Sequence, residues 1–156
     1  MDFILKSIKD FVGNYLLVSA IIAWITAQII KIFTGAYKDR HVNLFVILHS
    51  TGGMPSSHSA TMLAVTTAAA LQEGFASPVF AVSAIISIIV LTDATGVRYE
   101  TGKQSKMLNE IVQELFTDTE KAEVHFKEFI GHTPMQVVVG STLGVVIAIA
   151  MYFVYH

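Results

Sequence analysis

Two histidines stand among groups that suit a phosphate ester. His58 follows Pro55, Ser56 and Ser57 at the head of one apolar stretch, and His132 precedes Thr133 and Pro134 at the head of another. Lys31, Arg98 and Lys103 supply positive charge, and Asp93 supplies a carboxylate. Arginine grips phosphate oxygens through a planar fork, and lysine neutralises them as a point charge. Serine hydroxyls and the unpaired N–H groups at helix starts add donors, and the helix dipole favours an anion there. One imidazole can attack phosphorus while the other protonates the leaving oxygen. Neutral imidazole is a competent nucleophile near pH 7, so this set calls for no metal and no cofactor.

These residues need elements to bring them together, and the composition says what kind. The chain has 156 residues, enough for one domain over 1–156, is 53% hydrophobic and only 14% charged, and has a mean hydropathy of +0.61. Soluble domains carry about a quarter charged residues. So much apolar side chain cannot be hidden inside a 17.0 kDa soluble protein, because a small domain has too much surface for its volume. The expected fold is therefore all-α: an integral membrane bundle of about four transmembrane helices with one or two amphipathic surface helices. The spans are expected at about 14–33, 55–71, 78–97 and 134–155, each near the roughly 20 residues that a bilayer requires. The second is short and rich in small residues. Residues 1–14 read as an amphipathic helix on the membrane surface, with Lys6 and Lys9 interrupting the apolar run. They do not read as a cleaved signal.

The connections differ in length. Residues 72–77 make a tight turn. Residues 34–54 contain an apolar stretch, Leu44 to Leu48, able to dip into the interface. In the longest connection Met107, Leu108, Ile111, Val112, Leu115 and Phe116 recur at helical spacing, which predicts an amphipathic helix. Thr117 and Glu120 suit the capping box of a further short helix that Gly131 would end. With four spans, eight of the ten Lys and Arg residues fall on the side of the two long connections, and only Lys6 and Lys9 on the other. The positive-inside rule then puts the chemistry in the cytoplasm and both termini outside, in a plasma (inner) membrane. The net charge of −2 and the lack of a basic stripe argue against nucleic acid. The absence of cysteine excludes disulfides and thiolate metal sites.

Three runs, Gly52-Gly53-Met54-Pro55-Ser56-Ser57-His58-Ser59-Ala60, Asp93-Ala94-Thr95-Gly96-Val97-Arg98 with Gly102-Lys103-Gln104, and Gly131-His132-Thr133-Pro134, resemble the divergent branch of the type 2 phosphatidic acid phosphatase superfamily. That superfamily also contains vanadium haloperoxidases. The resemblance spans nearly the whole chain from Lys31 into the last span. It implies that His132 is the nucleophile that becomes phosphorylated and His58 the general acid. It also implies that Ser56 and Ser57 with Lys31, Arg98 and Lys103 bind phosphate. Asp93 and Gln136 are supporting residues in this reading.

The sequence departs from the main branch in four places. Ser57 replaces a glycine of the Pro-Ser-Gly-His motif. The lysine–arginine pair of the first motif becomes Lys31 with Lys38, Arg40 comes later, and no proline follows. A long insertion separates Arg98 from His132. Gln136 occupies the place, one helical turn after the nucleophile, of an orienting aspartate; Asp93 is a candidate to replace that carboxylate. Each motif residue also has a plainer reading. Lys31 would snorkel to the headgroups, Asp93 and Arg98 would form a structural ion pair, and Ser56, Ser57 and Thr133 would cap helices. Gly140 and Gly144 form a GxxxG pattern that suits close helix packing or a homodimer. A zinc site built from His49, His58 and His132 is a minor alternative.

The expected activity is hydrolysis of a lipid phosphomonoester of the phosphatidylglycerophosphate or phosphatidate kind, by a metal-independent phosphatase working through phosphohistidine. The alternative is a non-catalytic lipid-phosphate-binding or scaffold membrane protein. A vanadate-dependent peroxidase is a remote third.

Overall fold

The computed structural model describes residues 1–38, 53–115 and 132–156. Leu44 to Leu48, Arg40, His49, the Thr117–Glu120 capping box and Gly131 lie outside the described residues. Every element among the described residues is an α-helix: α1 Asp2–Gly13, α2 Tyr15–Lys38, α3 Ser57–Glu73, α4 Pro78–Thr95, α5 Val97–Leu115 and α6 Pro134–Tyr155. The chain is an all-α membrane protein.

Helix ends follow local chemistry. Asn14 ends α1 and starts α2, its Oδ1 accepting from the Leu17 N–H at 3.0 Å. Ser77 caps α4 by accepting from the Phe80 N–H at 3.1 Å, with Pro78 following. A proline at the first helical position loses no hydrogen bond, because that N–H would be unpaired anyway. α6 begins at the expected residue and has a full capping box: the Thr133 side chain accepts from the Gln136 N–H, and the Gln136 side chain from the Thr133 N–H. α2 runs past the expected end at residue 33 to Lys38. Only Gly96 separates α4 from the amphipathic helix α5.

α2, α4 with its continuation, and α6 are long and apolar enough to cross a membrane. The second expected span, α3, has 17 residues, about 25 Å at 1.5 Å per residue. It is the middle of the bundle, packed against α2, α4 and α6. That position explains its composition. A helix wrapped by neighbours meets little lipid, so it has small residues where the others have isoleucine and valine.

The bundle is small inside and large outside. Ala60, Ala64 and Ala68 of α3, Ala23 and Ala27 of α2 and Ala148 of α6 are fully buried. Ile21, Trp24, Ile25 and Ile29 of α2, Ile85, Ile88 and Ile89 of α4, and Val146 and Phe153 of α6 face outward. Lipid tails are as apolar as leucine, so these helices gain little by hiding large apolar groups from lipid. They gain dispersion by close approach. The glycine pattern of α6 serves that purpose within the chain. A Cβ at Gly140 would overlap the carbonyl oxygen of Ser56, and one at Gly144 that of Ala60. The pattern is occupied by α3 and does not call for a second copy. α1 buries none of its residues, with Phe3, Ile4, Leu5 and Ile8 exposed, as suits a helix lying on lipid.

Candidate functional site

The starts of α3 and α6 meet at one end of the bundle. The Ser56 N–H donates to the Gln136 carbonyl oxygen across the helices at 3.0 Å, a bond permitted by the missing side chain at Gly140. This junction sets the imidazoles of His58 and His132 6.3 Å apart, centre to centre, with their planes tilted by 58°. His132 is 2% exposed, whereas His58 is open to the surroundings. In-line phosphoryl transfer needs about 3 Å from the attacking nitrogen to phosphorus and about 2.8 Å from the acid to the leaving oxygen. Ring centres 6.3 Å apart bring both imidazoles within reach of one phosphate ester.

The capping box of α6 fixes the tautomer of His132. The Thr133 N–H donates to Gln136 Oε1 at 3.0 Å, so that atom is the carbonyl oxygen of the amide. His132 Nδ1 lies 3.3 Å from the same oxygen. An amide oxygen can only accept, so Nδ1 carries a proton, and in the neutral ring Nε2 keeps its lone pair. Gln136 thus does geometrically what the expected carboxylate would do, without a full negative charge.

Lys31 comes from the opposite side. It is 4% exposed and its Nζ donates to Ser57 Oγ at 3.2 Å. Gly53 lies beside its stem, 3.8 Å from Lys31 Cγ to a would-be Cβ, and has φ +99°, which side chains disfavour. Thr34 Oγ1 donates to the Met54 carbonyl at 2.9 Å, tying this turn to α2. A snorkelling lysine would point into water; this ammonium points into the bundle. Ser57, in the place of the family's glycine, starts α3 without a positive φ. Ser56, fully buried, caps α3 by accepting from the Ser59 N–H at 3.4 Å and the Ser59 hydroxyl at 2.9 Å.

The structure therefore brings Lys31, Ser56, Ser57, His58, His132 and Gln136 to one junction. Asp93 stands half-buried in the last turn of α4, and the backbone of Arg98 lies in the first turn of α5. Lys103 is exposed. Its Nζ pairs with Glu100 at 2.9 Å and sits 4.4 Å over the Tyr99 ring. Gln28 was not expected from the sequence. It is 6% exposed one turn below Lys31, and its Oε1 has no hydrogen-bond partner among the described residues. An amide inside an otherwise apolar span was the available signal.

The fold and the junction define a class: an α-helical membrane protein with a two-histidine, lysine and serine centre at one end of its bundle. Residues 12–147 match the Divergent PAP2 family, and the chain belongs to it. The chain is 36% identical to the uncharacterized membrane protein YuiD of Bacillus subtilis (strain 168), over 92% of this chain and 98% of that one. No solved structure matches.

Proposed function

We propose that the protein is a metal-independent lipid phosphatase acting on a phosphomonoester of the phosphatidylglycerophosphate or phosphatidate kind. The observation that carries this reading is the pair of neighbouring imidazoles, with His132 Nδ1 held by Gln136 Oε1. Nε2 of His132 attacks phosphorus and forms a P–N bond as the P–O bond to the lipid breaks. His58 gives its proton to the leaving oxygen. His58 then takes a proton from water, whose oxygen attacks phosphorus and breaks the P–N bond, releasing phosphate. Lys31 with Ser57, and Arg98 and Lys103 from α5, neutralise the phosphoryl oxygens. The sequence count supports a cytoplasmic site at the plasma membrane: with four spans, the side of the two long connections takes eight of the ten Lys and Arg residues. A reporter fused after His156 is then extracytoplasmic; a cytoplasmic one reverses the assignment.

The test is phosphate release by purified protein in detergent from a panel of lipid phosphates. Release that survives EDTA and vanishes in His132→Ala supports the reading. One observation favours a second reading, a lipid-phosphate-binding or scaffold protein without turnover. Gln136 offers a neutral acceptor where a carboxylate would stabilise the charged imidazole. Binding of lipid phosphate with no release by folded protein would select it.

A further inference from the structure

α4 and α6 both lean on α3 and barely touch one another. Between them lies a groove of about 440 Å³, lined by Leu91, Thr92 and Thr95 of α4 and by Val138, Ser141 and Thr142 of α6. It lies toward the end that holds the histidines. Thr95 is the last residue of α4 and Val138 lies in the second turn of α6, two residues beyond Gln136. The distance along α6 from His132 to Ser141 is about 13 Å, within the reach of one lipid molecule.

The threonines give this groove a chemical preference. Thr92 Oγ1 donates to the Ile88 carbonyl at 2.8 Å, Thr95 Oγ1 to that of Leu91 at 2.9 Å and Thr142 Oγ1 to that of Val138 at 2.9 Å. Each hydroxyl proton is committed to its own helix, a common arrangement for threonine in helices. Each oxygen still has a lone pair to offer. Three of the four hydroxyl groups lining the groove can therefore accept a hydrogen bond without surrendering one. Ester carbonyls also only accept, so a fully esterified lipid finds little complement here. A free hydroxyl can donate.

We infer that this groove is a substrate subsite that selects a lipid phosphomonoester carrying a free hydroxyl close to its phosphate over one whose glycerol hydroxyls are all esterified. The inference rests on the phosphatase reading for its reaction and on the groove for its selectivity. Chain and hydroxyl act together: the chain lies against Leu91 and Val138, the hydroxyl against the threonines, and the phosphate at the histidines.

The experiment compares lysophosphatidate, phosphatidate and glycerol 3-phosphate as substrates in mixed micelles, for the unaltered protein and for Thr92→Val/Thr95→Val/Thr142→Val. Valine keeps the shape and removes the oxygen. Thermal midpoints in detergent establish that the variant is folded, and the single variants are used if the triple one is not. Expected is a preference of roughly tenfold for lysophosphatidate over phosphatidate, much weaker in the valine variant, with glycerol 3-phosphate poorer than both. Equal use of the two lipids, or a preference that valine leaves untouched, overturns the subsite while the phosphatase reading stands. Glycerol 3-phosphate used as well as lysophosphatidate overturns the claim of a lipid substrate. If none is hydrolysed, the same three compounds are compared by thermal shift. A valine-sensitive preference for lysophosphatidate then upholds the groove and removes hydrolysis of these compounds from the reading; no preference overturns the groove.

Discussion

At one end of the bundle Tyr15, Tyr152, Tyr155 and His156 gather. Tyr15 meets Tyr152 at 6.1 Å and Tyr155 at 5.7 Å, and the His156 ring stacks on Tyr152 at 4.4 Å. The tyrosine hydroxyls donate to backbone carbonyls, Tyr15 to Ala148 at 2.6 Å and Tyr155 to Val12 at 2.5 Å. At the other end His58, His132, Lys31 and Ser57 gather, with His58 exposed and His132 buried against the Gln136 amide oxygen. Both ends join the helices through polar side chains. Tyr15 and Tyr155 commit their hydroxyl protons to carbonyls of the protein, so that end acts as a staple. The ammonium of Lys31 has more protons than Ser57 uses, and the tautomer of His132 leaves Nε2 a lone pair. The difference lies in unspent hydrogen-bonding and nucleophilic capacity rather than in polarity.

That contrast is open to direct attack. The largest effect is expected from Gly140→Val, whose side chain would push the Ser56 carbonyl and the start of α3 away from α6. Phosphate release should be lost, with about 1–3 kcal/mol of destabilisation from overpacking; wild-type release in that variant would show that the junction does not position the site. Gln136→Leu removes the acceptor for His132 Nδ1 and one half of the capping box. A drop of roughly 10- to 100-fold in turnover is expected, by analogy with lost orienting partners of other histidines, and a steady-state assay decides it.

Lys31→Met and Lys103→Met separate a buried ammonium from an exposed one. Lys31 is 4% exposed, whereas Lys103 is already paired with Glu100. KM should rise at least about tenfold more for the first; equal effects would place the two lysines on the same footing. The smallest effect belongs to the staple. Tyr15→Phe keeps the ring contacts and loses the bond to Ala148. It should lower stability by about 1 kcal/mol, read by thermal unfolding, with kcat unmoved. A fall in kcat would mean that the two ends communicate.

The apolar periods, the prolines at 78 and 134 and the capping residues made the helices legible, because these rules act within one or two turns of chain. The match of α6 to 134–155 is the clearest instance. Residue types also marked the histidines, Lys31 and the serines. The centre of α3 was harder to foresee: a chain of alanines reads as a weak span until one sees that it is surrounded. The same holds for Gly140 and Gly144, which fit a contact between copies as well as the contact with α3 that they make.

The sequence by itself determined that the chain is helical and lives in lipid, and which side chains are chemically able to meet a phosphate. Hydropathy and helix capping are local properties, readable wherever they occur. Tertiary structure alone decided that Gln136 Oε1 selects the tautomer of His132 and that Lys31 points inward to Ser57. It also decided that α4 and α6 stand apart. Those outcomes depend on how closely helices distant in sequence can approach, and that distance is set by small residues whose packing partners no local pattern names.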